Sequence, residues 1–100
     1  MKRMCGLWQV KKGMLQQYLE AHEPVSAEML KAMHDCGIRN YSMFFREDGL
    51  LVGYFEADDP AEALRKCAAT DASKRWAKFM EPYFEAGHSP LFLKEYFYMK

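Results

Sequence analysis

The chain is read as an α+β fold, a ferredoxin-like βαββαβ subunit whose antiparallel sheet carries its helices on one face. Three observations predict it. The elements run strand, helix, strand, strand, helix, strand, the order of two βαβ halves. The apolar period changes from strand-like to helical at Met14. An Asp48-Gly49 turn joins two strand-like segments at the centre of the chain, the signature of a hairpin. Each helical stretch is also interrupted once, so four helical pieces are expected.

Taken in order, Met4 to Lys11 reads as a strand, with Leu7, Trp8 and Val10 favouring extended backbone and Lys11-Lys12-Gly13 closing it. Met14, Leu15, Tyr18, Leu19 and His22 then form one stripe at helical spacing, broken by Pro24. A second helical piece runs from Ala27 to Cys36, with Leu30 and Met33 on one side and Gly37 as its stop. Ile38 to Phe45 is a strand in which Tyr41, Met43 and Phe45 alternate against Asn40, Ser42 and Phe44. Arg46 to Gly49 turns the chain into a strand from Leu50 to Glu56, where Gly53 marks a close approach or a bulge.

Asp59, Pro60 and Glu62 have the spacing of a helix start: a cap, a proline at the first helical position and a capping-box acid. Leu64 and Cys67 give that helix an apolar side. Thr70 is a fresh cap and Asp71 suits the positive end of the next helix dipole. That helix carries Ala72, Trp76, Phe79, Met80 and Tyr83, and Pro82 ends or bends it. Glu85 to Pro90 is a loop, and Leu91 to Met99 is a final, aromatic-rich strand. Helices on one face leave the other face of the sheet open. That face needs a ligand or a second copy to cover it.

A length of 100 residues fits one domain, residues 1–100, and half of them are hydrophobic, enough for a packed core. The 14 basic and 14 acidic residues cancel, which argues against an electrostatic grip on nucleic acid or an anionic membrane. The nearest basic cluster, Lys74, Arg75 and Lys78, has Asp71 and Glu81 beside it. No apolar run reaches the ~20 residues of a membrane span, and no signal-peptide pattern follows the N-terminus. Cys5, Cys36 and Cys67 form no C-x-x-C pair and are odd in number, as for free thiols in a reducing cytoplasm. His22, His34 and His88 do not add the short-spaced pairs that a zinc site needs, so no metal is expected.

His22 is the leading candidate for chemistry. Imidazole titrates near neutral pH and can both take and give a proton there. Tyr18 lies one helical turn before it, so a phenol and an imidazole share a helix face. The plain alternative is a half-exposed histidine at a helix end. Tyr41 and Trp76 pair an aromatic ring with a polar handle, which suits stacking on a sugar face. Each also fits as an ordinary core residue. Asn40 is either a turn residue or a hydroxyl partner. Glu20, Glu23 and Glu28 read as a solvated helix face. No serine sits in a nucleophile elbow and no glycine-rich loop could cradle phosphate.

These residues resemble the L-rhamnose mutarotase family over nearly the whole chain. The likeness is carried by Tyr18-x-x-x-His22-x-Pro24, by Gly37 with Asn40-Tyr41, by Thr70-Asp71 with Arg75-Trp76, and by the closing Glu95-Tyr96-Phe97-Tyr98. It implies a dimeric α/β barrel of ferredoxin-like subunits that interconverts the α and β anomers of L-rhamnopyranose, or a related aldose, without cofactor. It further implies His22 as the acid/base residue and Tyr18, Tyr41 and Trp76 as sugar contacts. The partners implied are a monosaccharide and a second copy of the chain. The sequence departs from the family pattern at Ala77, where a second tryptophan is usual, and at Val25-Ser26-Ala27, where a bulky tryptophan-containing stretch is usual. Two other readings stay open. One is a cofactor-free monooxygenase or haem-handling protein on the same dimeric barrel, and the other is a non-catalytic sugar-binding module.

Overall fold

A computed structural model describes residues 1–22 and 25–100. Glu23 and Pro24, the expected solvated acid and helix breaker, lie outside the described residues. The elements are β1 (Lys2–Gln9), α1 (Leu15–His22), α2 (Ala27–Asp35), β2 (Arg39–Phe45), β3 (Leu50–Ala57), α3 (Pro60–Ala68), α4 (Asp71–Met80), a 3₁₀ turn (Glu81–Tyr83) and β4 (Leu91–Leu93). The strands form one antiparallel sheet in the order β2-β3-β1-β4. This is the ferredoxin-like α+β arrangement predicted from element order, with both helical stretches divided in two.

The core lies on one side of this sheet. Residues 51, 53, 55 and 57 of β3 are buried in strict alternation, and their partners on β1 include Met4, Gly6 and Trp8. Phe55 and Ala57 pack with Ala63 and Cys67 of α3. Leu51 packs with Val10, Tyr18 of α1 and Met80 of α4. The helices therefore cover the face that the alternation assigns to the interior.

Several ends differ from the sequence reading, each for a local reason. β1 starts and stops two residues early because Lys2 and Arg3 pair with Ala57 and Glu56. Val10 and Lys11 leave the ladder, their amides donating to the carbonyls of Gly49 and Tyr83. The final strand is only Leu91–Leu93, not Leu91 to Met99. Its register on β1 sets Leu93 opposite Cys5, and the pairing ends there although β1 continues to Lys2. The segment is instead drawn in by Arg3, which binds the Glu95 carboxylate at 2.7 Å and lies 3.4 Å from the centre of the Tyr98 ring.

The helix signals perform as their chemistry requires. The Ser26, Asp59 and Thr70 side chains accept from the amides of Met29, Glu62 and Ser73; each cap is worth about 1 kcal/mol. Glu62 does not close the capping box, because its carboxylate holds Arg65 instead. Gly37, at φ 92°, ends α2, with Gly37 and Ile38 donating to the carbonyls of His34 and Met33. Pro82 sits in the 3₁₀ turn that follows α4.

Gly53 is a close approach and not a bulge. It pairs in regular register with both Gly6 and Met43. A Cβ there would lie 2.8 Å from the Trp8 indole and 2.9 Å from the Met43 sulfur. The two glycines let the indole lie against the sheet. The irregularity is elsewhere, between Arg39 and Ser42 of β2. Asn40 and Tyr41 together oppose Phe55, and Asn40 takes φ 52°. This extra residue turns both Ile38 and Tyr41 towards the helices, which simple alternation from Ile38 does not achieve.

Candidate functional site

Between α1, α2, α4 and the inner sheet face lies an open cleft of about 1240 Å³. Tyr18, His22, Tyr41 and Trp76 all line it. The fold thus gathers all four residues singled out in the sequence. They come from α1, β2 and α4, elements well separated along the chain.

Helix α1 presents Tyr18 and His22 one turn apart, their ring centres 5.4 Å from each other. Trp76 closes the other side of the imidazole, 5.7 Å away and nearly perpendicular at 74°. His22 is half-buried, and burial lowers its pKa from the ordinary 6.5 because the cation loses hydration. Tyr18 is buried at 5% exposure, with Tyr83 and Phe84 edge-on around it. Burial, with a further contribution from Tyr41, pushes its phenol up to about 12. At neutral pH the cleft therefore holds an uncharged imidazole beside a protonated phenol.

Tyr41 reaches the cleft because of the bulge, its ring stacked on Phe55 at 5.9 Å and 15°. Burial raises its pKa as well. Asn40, beside it, faces away and donates to Glu56 at 2.7 Å, so it is a turn-like residue and not a cleft donor. Methionines 29, 33 and 43 supply apolar wall, while Lys11, Ser73 and Glu81 supply polar rim. The cleft wall also includes Val25 and Ala77, two of the positions at which the sequence departs from the family pattern.

Two features escaped the sequence reading. Glu28, read as part of a solvated helix face, binds Arg75 at 2.8 Å from Nε and ties α2 to α4. His88, on the loop after the 3₁₀ turn, also lines the cleft. No periodic signal marks either one: an ion pair between helices 47 residues apart and a loop side chain are fixed only by the tertiary fold. Among the described residues, no group of three His, Cys, Asp or Glu side chains gathers as metal ligands. Cys5, Cys36 and Cys67 are free thiols. No helix of the described residues is long and apolar enough to cross a membrane.

Comparison with known proteins assigns the family. A model of the L-rhamnose mutarotases matches residues 3–99. The L-rhamnose mutarotase of Bacillus subtilis (strain 168) is 35% identical over 104 residues, which span 99% of each chain. The crystal structure of L-rhamnose mutarotase from Formosa agariphila superposes with a TM-score of 0.83 at 24% identity, covering 100% of both chains. An antibiotic biosynthesis monooxygenase shares the fold at a TM-score of 0.66 and 16% identity, over 96% of this chain and 99% of that one. The monooxygenase likeness is one of architecture alone, and the oxygenase and non-catalytic readings are not favoured. With a family match across nearly its whole length and a relative more than 30% identical from end to end, the chain belongs to the L-rhamnose mutarotase family.

Proposed function

We propose that this protein interconverts the α and β anomers of L-rhamnopyranose or a closely related aldose, with His22 as its proton-transferring residue. The observation that carries the reading is His22 itself: half-buried in the cleft, kept neutral by burial, and flanked by Tyr18 and Trp76 at 5.4 and 5.7 Å.

Mutarotation needs a proton removed from the anomeric hydroxyl and a proton delivered to the ring oxygen. The neutral imidazole accepts the O1 proton, and the electrons of that bond form the C1=O1 double bond. The C1–O5 bond breaks and its pair stays on O5, which takes a proton. The phenol of Tyr18, pushed up to about 12, is held protonated and can donate in that step. In the open aldehyde the C1–C2 bond rotates, and closure by the reverse proton transfers gives the other anomer. No redox change occurs, and the imidazolium and phenolate formed on opening are both discharged on closure. Tyr41 and Trp76 offer ring faces to the sugar's C–H groups and an O–H or N–H to its hydroxyls.

The domain, residues 1–100, is proposed to act in the cytoplasm as a homodimer closed over the uncovered sheet face. Exchange NMR on L-rhamnose tests the activity: wild-type protein is expected to speed anomer exchange, and His22→Ala to lose at least ~100-fold of that acceleration, the usual scale of general acid/base catalysis. Equal exchange rates for His22→Ala and wild type would remove His22 from the role.

A further inference from the structure

The imidazole of His88 lines the same cleft as His22. A short turn puts it there. Gly87 takes φ 78°, and the His88 amide donates to the carbonyl of Glu85 at 3.0 Å. The His88 ring lies flat on Phe84, with centres 4.9 Å apart and planes 13° apart. Phe84 stands edge-on to Tyr18 at 5.7 Å, and Tyr18 adjoins His22 at 5.4 Å. The two imidazoles are therefore three ring contacts apart in one aromatic wall.

One atom in this wall lacks an explanation in the fold. His88 Nε2 is buried and makes no hydrogen bond among the described residues. Leaving such an atom unpaired costs about 1–3 kcal/mol, and a phenyl ring would stack on Phe84 equally well without that cost. A buried ring nitrogen that the protein itself leaves unpaired calls for a partner of its own. The stack also leaves the nitrogen adjustable. Turning the imidazole half a turn about Cβ–Cγ keeps the ring in its plane on Phe84 and exchanges the positions of Nε2 and Cε1.

We propose that His88 is a second sugar-binding residue of this cleft, its Nε2 hydrogen-bonding a hydroxyl of the bound aldose away from the anomeric centre. The inference rests on the cleft being the sugar site. His88 is separated from His22 by Phe84 and Tyr18, so it takes no part in the proton transfers and selects the sugar by its hydroxyl pattern. Donor or acceptor character follows from the imidazole tautomer, and a hydroxyl satisfies either.

The test compares wild type with His88→Phe, which keeps the stack and removes the nitrogens, and with His88→Gln, which keeps a hydrogen-bonding end group. For L-rhamnose anomer exchange, His88→Phe is expected to raise KM about tenfold with kcat unchanged, the size of one lost neutral hydrogen bond. His88→Gln should fall between it and wild type. The Tm of sugar-free His88→Phe should equal or exceed that of wild type, because the unpaired atom is gone. Wild-type KM in His88→Phe overturns the proposal. So does a fall in kcat in a folded His88→Phe, which would make His88 a positioning residue for Tyr18. Calorimetric titration with L-rhamnose separates this from the activity itself. If wild type does not accelerate exchange, weaker sugar binding by His88→Phe still supports the proposal, while equal binding, or no binding by either protein, overturns it.

Discussion

The proposed role of His22 fixes the pH behaviour expected of the site. Burial is the cause of its lowered pKa, so the neutral, proton-accepting form persists to a lower pH than for an exposed histidine. The acid limb of kcat/KM for anomer exchange is expected to have its midpoint below 6.5, and ¹H NMR titration of His22 should give the same midpoint. The stability sign follows from the same shift. Between the folded pKa and 6.5 the unfolded chain binds a proton that the folded chain does not. The His22 contribution is therefore intact above 6.5 and is lost as the pH falls through the folded value. An acid limb centred at or above 6.5 would contradict the buried, neutral imidazole. This much of the site was legible in the sequence, because Tyr18 and His22 are joined by a local rule: residues four apart on a helix share a face. His88 was not legible as a site residue. Its place in the cleft depends on a 3₁₀ turn, a positive-φ glycine and an aromatic stack, none of which has a period.

At the scale of the element, β2 matters most. Tyr41 stacks on Phe55 only because Asn40 and Tyr41 share one place opposite it. Simple alternation put Tyr41 with Met43 and Phe45 correctly, but it left Ile38 on the wrong face. The structure buries Ile38 in the helix-side core at 6% exposure. The bulge supplies the missing residue, and Asn40 is suited to it, since asparagine tolerates the left-handed region better than most residues. Replacing Asn40 by valine puts a β-branched side chain at φ 52° and removes the bond to Glu56. A loss of ~1–3 kcal/mol is expected from denaturant unfolding, with a higher KM as Tyr41 shifts. Asn40→Gly, free of the φ penalty, separates the two effects and should lose much less. Equal stability of the two variants would mean that the left-handed conformation is not what Asn40 provides. The helix ends, by contrast, were readable residue by residue, because Ser26, Asp59, Thr70 and Gly37 act on backbone groups beside them.

For the whole molecule, the open face of the sheet is where the proposed homodimer would close. The pairing register puts Leu7, Val52, Phe44, Leu91 and Leu93 on the side away from the helices. Phe44 is 59% and Leu91 67% exposed, and beyond them Tyr96 and Phe97 of the C-terminal segment are also exposed. A contiguous apolar sheet face of this kind is costly in water and rare on a monomer. The sequence foretold the uncovered face, because two helical stretches of this length cover only one side of a four-stranded sheet. It did not foretell that the last strand would stop at Leu93, since the segment beyond it is held by Arg3 through Glu95 and Tyr98, contacts that only the tertiary fold fixes. A second copy apposed about a two-fold axis offers the same apolar surface in return, so each face satisfies the other. Replacing Phe44 and Leu91 together by glutamate would set like charges against each other across that axis while leaving the cleft side untouched. Sedimentation equilibrium is expected to find wild type as a dimer and the double variant as a monomer. Thermal unfolding should add a second mark, a Tm that rises with protein concentration for wild type and not for the variant. A monomeric wild type, or a double variant that still dimerises, would mean that the open sheet face is not where two copies meet.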